Sequence, residues 1–276
     1  MKNAFRRNLL MMLTVGLGLA LTPGTARAEF LDFTVDETTV PGTGADGFMF
    51  VADEIEGGYV EILSFDGVGG FEATIIADLG NFRADEGTDI VASHLATTEL
   101  IDSQYGMYAL YTATGQVIDN GDGTFSFTTT SVNASLFIDP ELDTDKDLPA
   151  AGGLAPVLAN DGDDYELLSV SSVYFESNEL EAGVGGFFDI RFDDPTLTSC
   201  AALSTECGEA YFPDLSQLNL RATIDGDFDE FDPTSTSPVE SGGQLSVNFI
   251  PEPASLTLLG LGLLGSGMAA RRRRTA

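Results

Sequence analysis

Short stretches in which apolar and polar residues alternate run along most of this chain. The alternation is clearest at Leu245–Phe249, where Leu, Val and Phe share one face of an extended strand and Ser and Asn the other. The remaining stretches are rich in β-branched and aromatic residues and are bounded by Gly, Asp, Asn or Pro. Because helical periodicity is almost absent, we expect an all-β fold, an antiparallel β-sandwich or jelly roll. The predicted strands are Tyr59–Phe65, Phe71–Leu79, Tyr105–Thr112, Thr124–Thr130, Val132–Ile138, Tyr165–Glu176, Phe187–Phe192, Leu218–Ile224 and Leu245–Phe249.

Turn-forming residues separate these strands. Val117–Phe125 contains Asn120-Gly121 and predicts a hairpin, because Asn and Gly tolerate the positive φ that tight turns require. Leu142–Asn160, with two prolines and a glycine pair, is predicted to be a long loop. Pro233–Gly243 is rich in Thr, Ser, Pro and Gly and predicts a loop before the last strand.

The first twenty-eight residues have the three parts of a secretory signal peptide. Basic residues precede the apolar run Leu9–Leu21, and the small residues Ala26 and Ala28 occupy the positions that signal peptidase reads. We therefore expect a mature protein that begins at Glu29. The alternative is an uncleaved anchor, but the apolar run is short and Pro23 interrupts the segment before the cleavage site.

The last twenty-six residues combine three features in order. The triplet Pro251, Glu252, Pro253 is followed by the uncharged, mainly apolar segment Ala254–Ala270 and then by four arginines. The seventeen residues of that segment lie at the lower limit of the roughly 17 to 25 that a membrane-spanning helix needs. A basic cluster holds such a helix end on the cytoplasmic side. The cluster consists of Arg271, Arg272, Arg273 and Arg274.

This combination resembles the PEP-CTERM sorting signal of Gram-negative bacteria. The resemblance implies that the membrane protease-transpeptidase exosortase recognises the tail and cuts near the triplet. It also implies an inner-membrane intermediate, held by the C-terminal helix, and then release or re-anchoring at the cell surface or in the extracellular matrix. A single-pass anchor that is never cut is the alternative. We divide the chain into a signal peptide (1–28), an exported acidic β domain (29–250) and a sorting signal (251–276).

The charge of the predicted mature domain is extreme. Residues 29–250 keep four of the twelve basic residues and forty-three of the forty-four acidic ones, which gives a formal net charge of −39. Such a surface repels the phosphate backbone, so nucleic acid is excluded as a partner. It stays soluble and attracts divalent cations. Abundant Phe, Tyr, Val, Ile and Leu distinguish it from a disordered acidic segment.

Two cysteines, Cys200 and Cys207, enclose six residues. In an exported protein, an isolated close pair predicts a disulfide. A metal pair or a redox dithiol is the alternative, but the first needs more ligands and the second a tighter spacing.

Clusters of aspartates are the candidate metal sites. Asp143, Asp145 and Asp147 alternate as at the start of a calcium loop, but the later Gly and closing Glu of an EF-hand are missing. Asp161–Asp164 and Asp119–Asp122 are similar fragments. A further alternating set is Asp225, Asp227 and Asp229, which share one face if the segment is extended. Each cluster has two interpretations, a Ca²⁺ site and a solvated turn on a very acidic protein.

The sequence offers little to support catalysis. The single histidine, His94, has no Gly-x-Ser-x-Gly elbow to accompany it and is interpreted as a surface or packing residue. Pairs of carboxylates suitable for a glycosidase occur by chance in so acidic a chain. We therefore expect a protein that is not an enzyme.

A second resemblance concerns the domain itself, whose Gly- and aromatic-rich strings are similar to segments of the flocculation-associated PEP-CTERM proteins. This resemblance implies a non-catalytic exported protein that keeps extracellular polysaccharide associated with cells. The strings are Phe33–Glu37, Val40–Gly42, Phe50–Asp53, Gly57–Glu61, Gln104–Ala109, Gly185–Asp189 and Asp225–Asp229.

The predicted function is association with exopolysaccharide in flocs or biofilm. Divalent cations would bridge the acidic surface to an anionic glycan, and Tyr105, Tyr108 or Tyr111 could stack on sugars. The alternatives are a calcium-dependent lectin-like adhesin and a matrix glycan hydrolase.

Overall fold

The computed structural model describes residues 30–43, 47–95, 104–181, 185–192, 195–201, 204–215, 219–226 and 232–250. The predicted signal peptide and the segment 251–276 lie outside these residues. Within the described part of the chain, no helix is long and apolar enough to span a membrane. The strands are β1 (Phe33–Asp36), β2 (Met49–Ala52), β3 (Glu54–Phe65), β4 (Gly70–Ala84), β5 (Asp89–Val91), β6 (Gly106–Asp119), β7 (Thr124–Asp139), β8 (Asp145–Asp147), β9 (Val157–Ala159), β10 (Tyr165–Val170), β11 (Val173–Glu181), β12 (Gly185–Phe192), β13 (Thr196–Leu197), β14 (Asn219–Gly226) and β15 (Val239–Ile250); a 3-10 helix spans Glu37–Thr39 and a short helix α1 spans Gly208–Tyr211.

The main sheet contains eleven strands in the order β11-β12-β14-β15-β3-β4-β6-β7-β10-β13, with β5 paired to β4. Its pairings are antiparallel, so the all-β prediction is confirmed. A further pairing between the end of β11 and the start of β7 closes eight strands into a ring. The expectation of a sandwich or jelly roll is replaced by one sheet that closes on itself.

Strand irregularities give the physical reason for this closure. The β3–β4 ladder shifts register at Glu56/Gly57, and the β6–β7 ladder shifts at Thr114/Gly115. A β-bulge bends its strand and increases its twist. Both bulge glycines lie against the neighbouring strand, where a Cβ would collide with its backbone. Long twisted strands with such bends coil until their edges meet, and alternation alone does not predict this.

Some predicted boundaries were wrong. Thr124–Thr130 and Val132–Ile138 form the single strand β7, while the predicted strand Tyr165–Glu176 is divided into β10 and β11. The predicted hairpin between β6 and β7 is present, with positive φ at Gly121 and Gly123.

The predicted loop at 142–160 contains the two-stranded sheet β8-β9 and covers the outer face of the main sheet. The Thr74 hydroxyl donates to the Leu154 carbonyl, and the Gly152 N–H donates to Ser64 Oγ. These contacts explain why Thr74, in the middle of β4, is buried on the face opposite the interior.

The interior of the ring has two apolar clusters. The larger cluster joins the N-terminal strands and α1 to the closed sheet through Phe33. The Phe33 phenyl group packs edge to face on those of Phe249 and Phe212, with centroid distances of 5.0 Å and 5.8 Å. The smaller cluster consists of Leu63, Phe65, Phe71, Ala73, Ala113 and Phe127.

Candidate functional site

Glu61 lies inside the ring, on the inward face of β3, and is 7% exposed. It contributes to a cavity of about 30 Å³, room for about two water molecules at 10–15 Å³ each. The cavity is mainly apolar and is too small for a drug-sized ligand. The other lining residues are Leu63, Phe71, Ala73, Ile75, Tyr111, Phe127, Thr129, Phe188 and Ile190.

The environment of Glu61 favours its neutral form. Burial raises the pKa of its carboxyl from 4.5 to about 7, and a 3.5 Å hydrogen bond from the Ser241 hydroxyl opposes this rise only weakly. Among the described residues that line the cavity, Glu61 is the sole carboxyl group. A retaining or inverting glycosidase requires a second carboxyl, so this cavity lacks that pair.

A second buried glutamate, Glu37, lies between the N-terminal strands and the ring and is 0% exposed. The His94 N–H donates to Glu37 Oε1 at 2.8 Å, and His94 Nδ1 lies 2.9 Å from Oε2. The Tyr105 hydroxyl donates to Oε1 at 2.9 Å and lies 2.7 Å from the Tyr211 hydroxyl. Burial, with the nearby carboxylate, raises the pKa of both tyrosines well above the usual value.

This network shows His94 to be a packing residue, one of the two interpretations from the sequence. Because its four side chains are buried, they do not meet a substrate from solvent. Glu37 was not predicted as a site residue, because a single glutamate in a polar stretch gives no indication that it will be buried.

The aspartates that converge in the structure differ from the sets predicted to bind Ca²⁺. Carboxylate oxygens of Asp139, Asp163 and Asp164 lie within 4.8 Å of one another. Burial, together with repulsion from the other two, raises the pKa of Asp164, while hydrogen bonds from Tyr108 and Thr144 oppose the rise. Oxygen ligands of this kind suit a hard cation such as Ca²⁺.

The predicted sets are placed differently. Asp143 donates its N–H to Asp139, and Asp145 and Asp147 are exposed in β8. Asp225 lies in β14, whereas Asp227 and Asp229 lie outside the described residues. Asp163 and Asp164 belong to the fragment Asp161–Asp164, which was a candidate metal site from the sequence. Their partner Asp139 is the last residue of β7 and is distant in sequence.

The predicted sugar-stacking faces were wrong for Tyr105 and Tyr108, which are 0% and 1% exposed. Tyr108 stacks on Phe137 at 5.1 Å and donates to Asp164, beneath Lys146. Tyr111 lines the interior cavity. Tyr105 and Tyr111 face the interior and Tyr108 faces the covering loop, so neither face of this segment offers an exposed aromatic ring.

A shallow cleft of about 390 Å³ lies on the outer surface beside the β3–β4 turn. Asp66 holds that turn by accepting the N–H groups of Val68 and Gly70, each at 2.8 Å, which lowers its pKa. Hydroxyl, amide and carboxylate groups, which hydrogen-bond to polar ligands, form much of the lining. They come from Ser64, Asp66, Glu72, Thr114, Gln116 and Thr130.

Cys200 and Cys207 form a disulfide with a Cα–Cα distance of 5.2 Å. Cys207 is buried and immediately precedes α1, and its carbonyl accepts the Tyr211 N–H at 3.2 Å. The disulfide therefore holds the helix that brings Tyr211 to the Glu37 network.

A model of the PEP-CTERM protein-sorting motif matches residues 249–274. The match covers the Pro-Glu-Pro triplet, the apolar segment and the arginines, so the predicted sorting signal is confirmed. The motif marks an exported protein that is targeted to exosortase and destined for the cell surface or the extracellular space. No curated protein matches the chain, and no solved structure matches it.

Proposed function

We propose that this exported, exosortase-targeted protein is a non-catalytic component of the envelope or extracellular matrix that associates with exopolysaccharide in flocs or biofilms. The observation that carries the proposal is the sorting motif at 249–274, which indicates export to the cell surface or the extracellular space. The finer assignment also rests on the resemblance of the domain to flocculation-associated proteins. We further propose cleavage by signal peptidase after Ala28, and a membrane-held intermediate in a Gram-negative cell.

The outer cleft supports contact with a glycan. Its hydroxyl, amide and carboxylate groups match the donors and acceptors of sugar hydroxyls, and its volume of about 390 Å³ falls in the range of roughly 300–1,000 Å³ that is typical of ligand sites. Glu72 and Asp66 suit a neutral sugar, or an anionic one bridged by a divalent cation. The cleft replaces the buried tyrosines as the proposed contact surface.

We also propose that the protein is not an enzyme. Two features of the described residues support it. The Glu37–His94 pair is sealed from solvent, and Glu61 shares its cavity with no other described carboxyl group.

Retention of the native, processed protein on the host's immobilised exopolysaccharide tests the proposal. The double variant Gln116→Ala/Thr130→Ala should lose most of the retention, because it removes polar groups from the cleft. The matched control is Thr128→Ala. Thr128 is exposed, lies in β7 like Thr130, and does not line the cleft. Equal retention of both variants would remove the cleft from the proposal, and no retention of the wild type would refute the glycan association.

Two further readouts separate the alternatives. A melting temperature that rises on addition of Ca²⁺, together with Ca²⁺-dependent retention, would favour a lectin-like adhesin. Release of soluble sugars, abolished by replacement of one acidic residue, would favour a hydrolase.

A further inference from the structure

The last strand of the domain continues up to the sorting triplet. β15 remains in register with β14 to its final residue, with Phe249 opposite Leu220 and Ile250 opposite Asn219. The Leu31 N–H donates to the Phe249 carbonyl at 3.1 Å. Pro251 is the next residue, so no spacer separates the sheet from the triplet.

The side chains at this strand end are also held in the core. Phe249 is 1% exposed and Ile250 5% exposed. Besides its contact with Phe33, the Phe249 ring packs on Phe212 at 6.0 Å. The Asn248 amide donates to the Asp53 carbonyl at 3.2 Å. Both residues that open the matched motif are thus part of the folded domain.

This arrangement restricts what a processing enzyme can reach. A peptide bond that is cut at or near Pro251–Pro253 must enter the enzyme's cleft as extended chain, with residues on both sides of the bond. The acyl carbon then forms a bond to water or to an amine while the C–N bond breaks, and the leaving amine takes up the proton that the nucleophile loses. While Phe249 and Ile250 are packed in the domain, they cannot enter the enzyme's cleft as the residues that precede the cut bond.

The backbone of this strand end is nevertheless less fully paired than the middle of β15. The pairing of β15 with β3 ends at Asn248 opposite Glu54. Within the main sheet, Phe249 and Ile250 therefore pair with β14 alone, and the Leu31 N–H adds one hydrogen bond to Phe249. Strand ends that have fewer ladder hydrogen bonds open locally without global unfolding.

We propose that the docked end of β15 restrains processing, so that Phe249 and Ile250 must leave the domain before exosortase cuts the chain. The folded domain therefore sets the rate of its own release. This inference rests on the exosortase targeting that the motif indicates and is independent of the glycan proposal.

The test is pulse-chase conversion of the full-length precursor in cells that contain exosortase, followed by intact mass. A six-residue Gly/Ser spacer is inserted between Ile250 and Pro251, leaving the triplet, apolar segment and arginines contiguous. Conversion should become faster by at least roughly tenfold to a hundredfold, because exposing Phe249 alone corresponds to that population ratio and Ile250 adds to it. The matched control carries the same spacer between Gly121 and Asp122, in the exposed β6–β7 turn, and should convert at the wild-type rate.

A second variant tests the same restraint without changing the chain length. Phe249→Ala weakens the docking of the strand end, and it should speed conversion in precursor that limited proteolysis shows to be folded. Equal rates for the wild type and the Ile250–Pro251 spacer variant would overturn the proposal. Failure of every form to be processed would also overturn it, because the motif would then not lead to cleavage.

Discussion

Glu37 and Glu61 are both buried glutamates, but their surroundings differ. Glu37 accepts hydrogen bonds from the His94 backbone and the Tyr105 hydroxyl and faces the His94 ring. Glu61 has one long contact, from Ser241, and otherwise faces apolar side chains. A buried carboxyl group that is well hydrogen-bonded stabilises the fold. A buried carboxyl group that lacks donors destabilises the fold when it loses its proton. Burial alone therefore does not tell whether a charged residue strengthens or weakens a protein.

The largest expected effect is that of removing Glu37. Glu37→Ala leaves buried donors of His94 and Tyr105 without their acceptor, so the free energy of unfolding should fall by about 3–5 kcal/mol. Urea denaturation at pH 7 measures this loss. The control is Glu61→Ala, which leaves only the Ser241 hydroxyl without its acceptor. Its loss of unfolding free energy should be clearly smaller. Similar losses for the two variants would show that the hydrogen bonds of Glu37 add no more stability than the surroundings of Glu61.

The next largest effect is the change in unfolding free energy with pH that Glu61 causes. Its pKa is 4.5 in the unfolded reference and about 7 in the fold. The folded state therefore keeps a proton that the unfolded chain releases from about pH 4.5, and stability decreases as the pH rises from about 4.5 to 7. The decrease due to this group should be about 3 kcal/mol, with no further change above that range. Denaturation at a series of pH values measures it.

Glu61→Gln is the control for the pH series, because it is uncharged at every pH and close in shape. The difference in unfolding free energy between the wild type and this variant isolates the carboxyl from other acids, such as Asp66 and Asp122, whose pKa values are lowered. A difference that does not vary between pH 4.5 and 7 would show that Glu61 is hydrated and ionised in the fold.

The disulfide should matter less. Replacing Cys200 and Cys207 by serine opens a short loop, and we expect a loss of about 2 kcal/mol. The loss should leave the Glu61 pH dependence unchanged, because the disulfide supports α1 and the Glu37 side of the molecule. Denaturation with and without reductant, in the wild type and in Glu61→Gln, checks both statements. A changed pH profile on reduction would show that the two regions are coupled.

The smallest expected effect is that of Tyr105→Phe. It removes one donor from Glu37 while His94 remains, so stability should fall by about 1 kcal/mol. The companion variant Tyr211→Phe, which leaves Glu37 its direct donors, should cost no more than Tyr105→Phe. The reverse order, measured by denaturation, would mean that the tyrosine pair rather than the carboxylate is the centre of the network.

Local features of the structure were largely predictable. The cores of the long strands of the ring were predicted because β-branched and aromatic residues in alternation fit a half-buried sheet. The turn at Asn120–Gly123 was predicted because its glycines adopt positive φ. The short strands β1, β2, β5, β8, β9 and β13 were missed, since two to four residues provide too little pattern.

The candidate sites were less predictable because they are assembled from distant parts of the chain. Glu37 accepts hydrogen bonds from His94 and Tyr105, which lie 57 and 68 positions further along the chain. Asp139 meets Asp163 and Asp164 only through the pairing of β7 with β10. The predicted sets came from alternation along one strand, which places carboxylates on one face but does not indicate which other elements pack beside them.

The all-β class and the C-terminal sorting motif followed from the sequence alone. Both depend on residue types and short spacings, which need no tertiary contact to be read. The structure was needed to show that the sheet closes and that Tyr105 and Tyr108 are buried. It also showed that Glu37 is well hydrogen-bonded whereas Glu61 has a single long hydrogen bond. It also placed Phe249 and Ile250 in the core beside the triplet. These features depend on strand register and on contacts between residues far apart in the chain, where a shift of one residue moves a side chain to the opposite face.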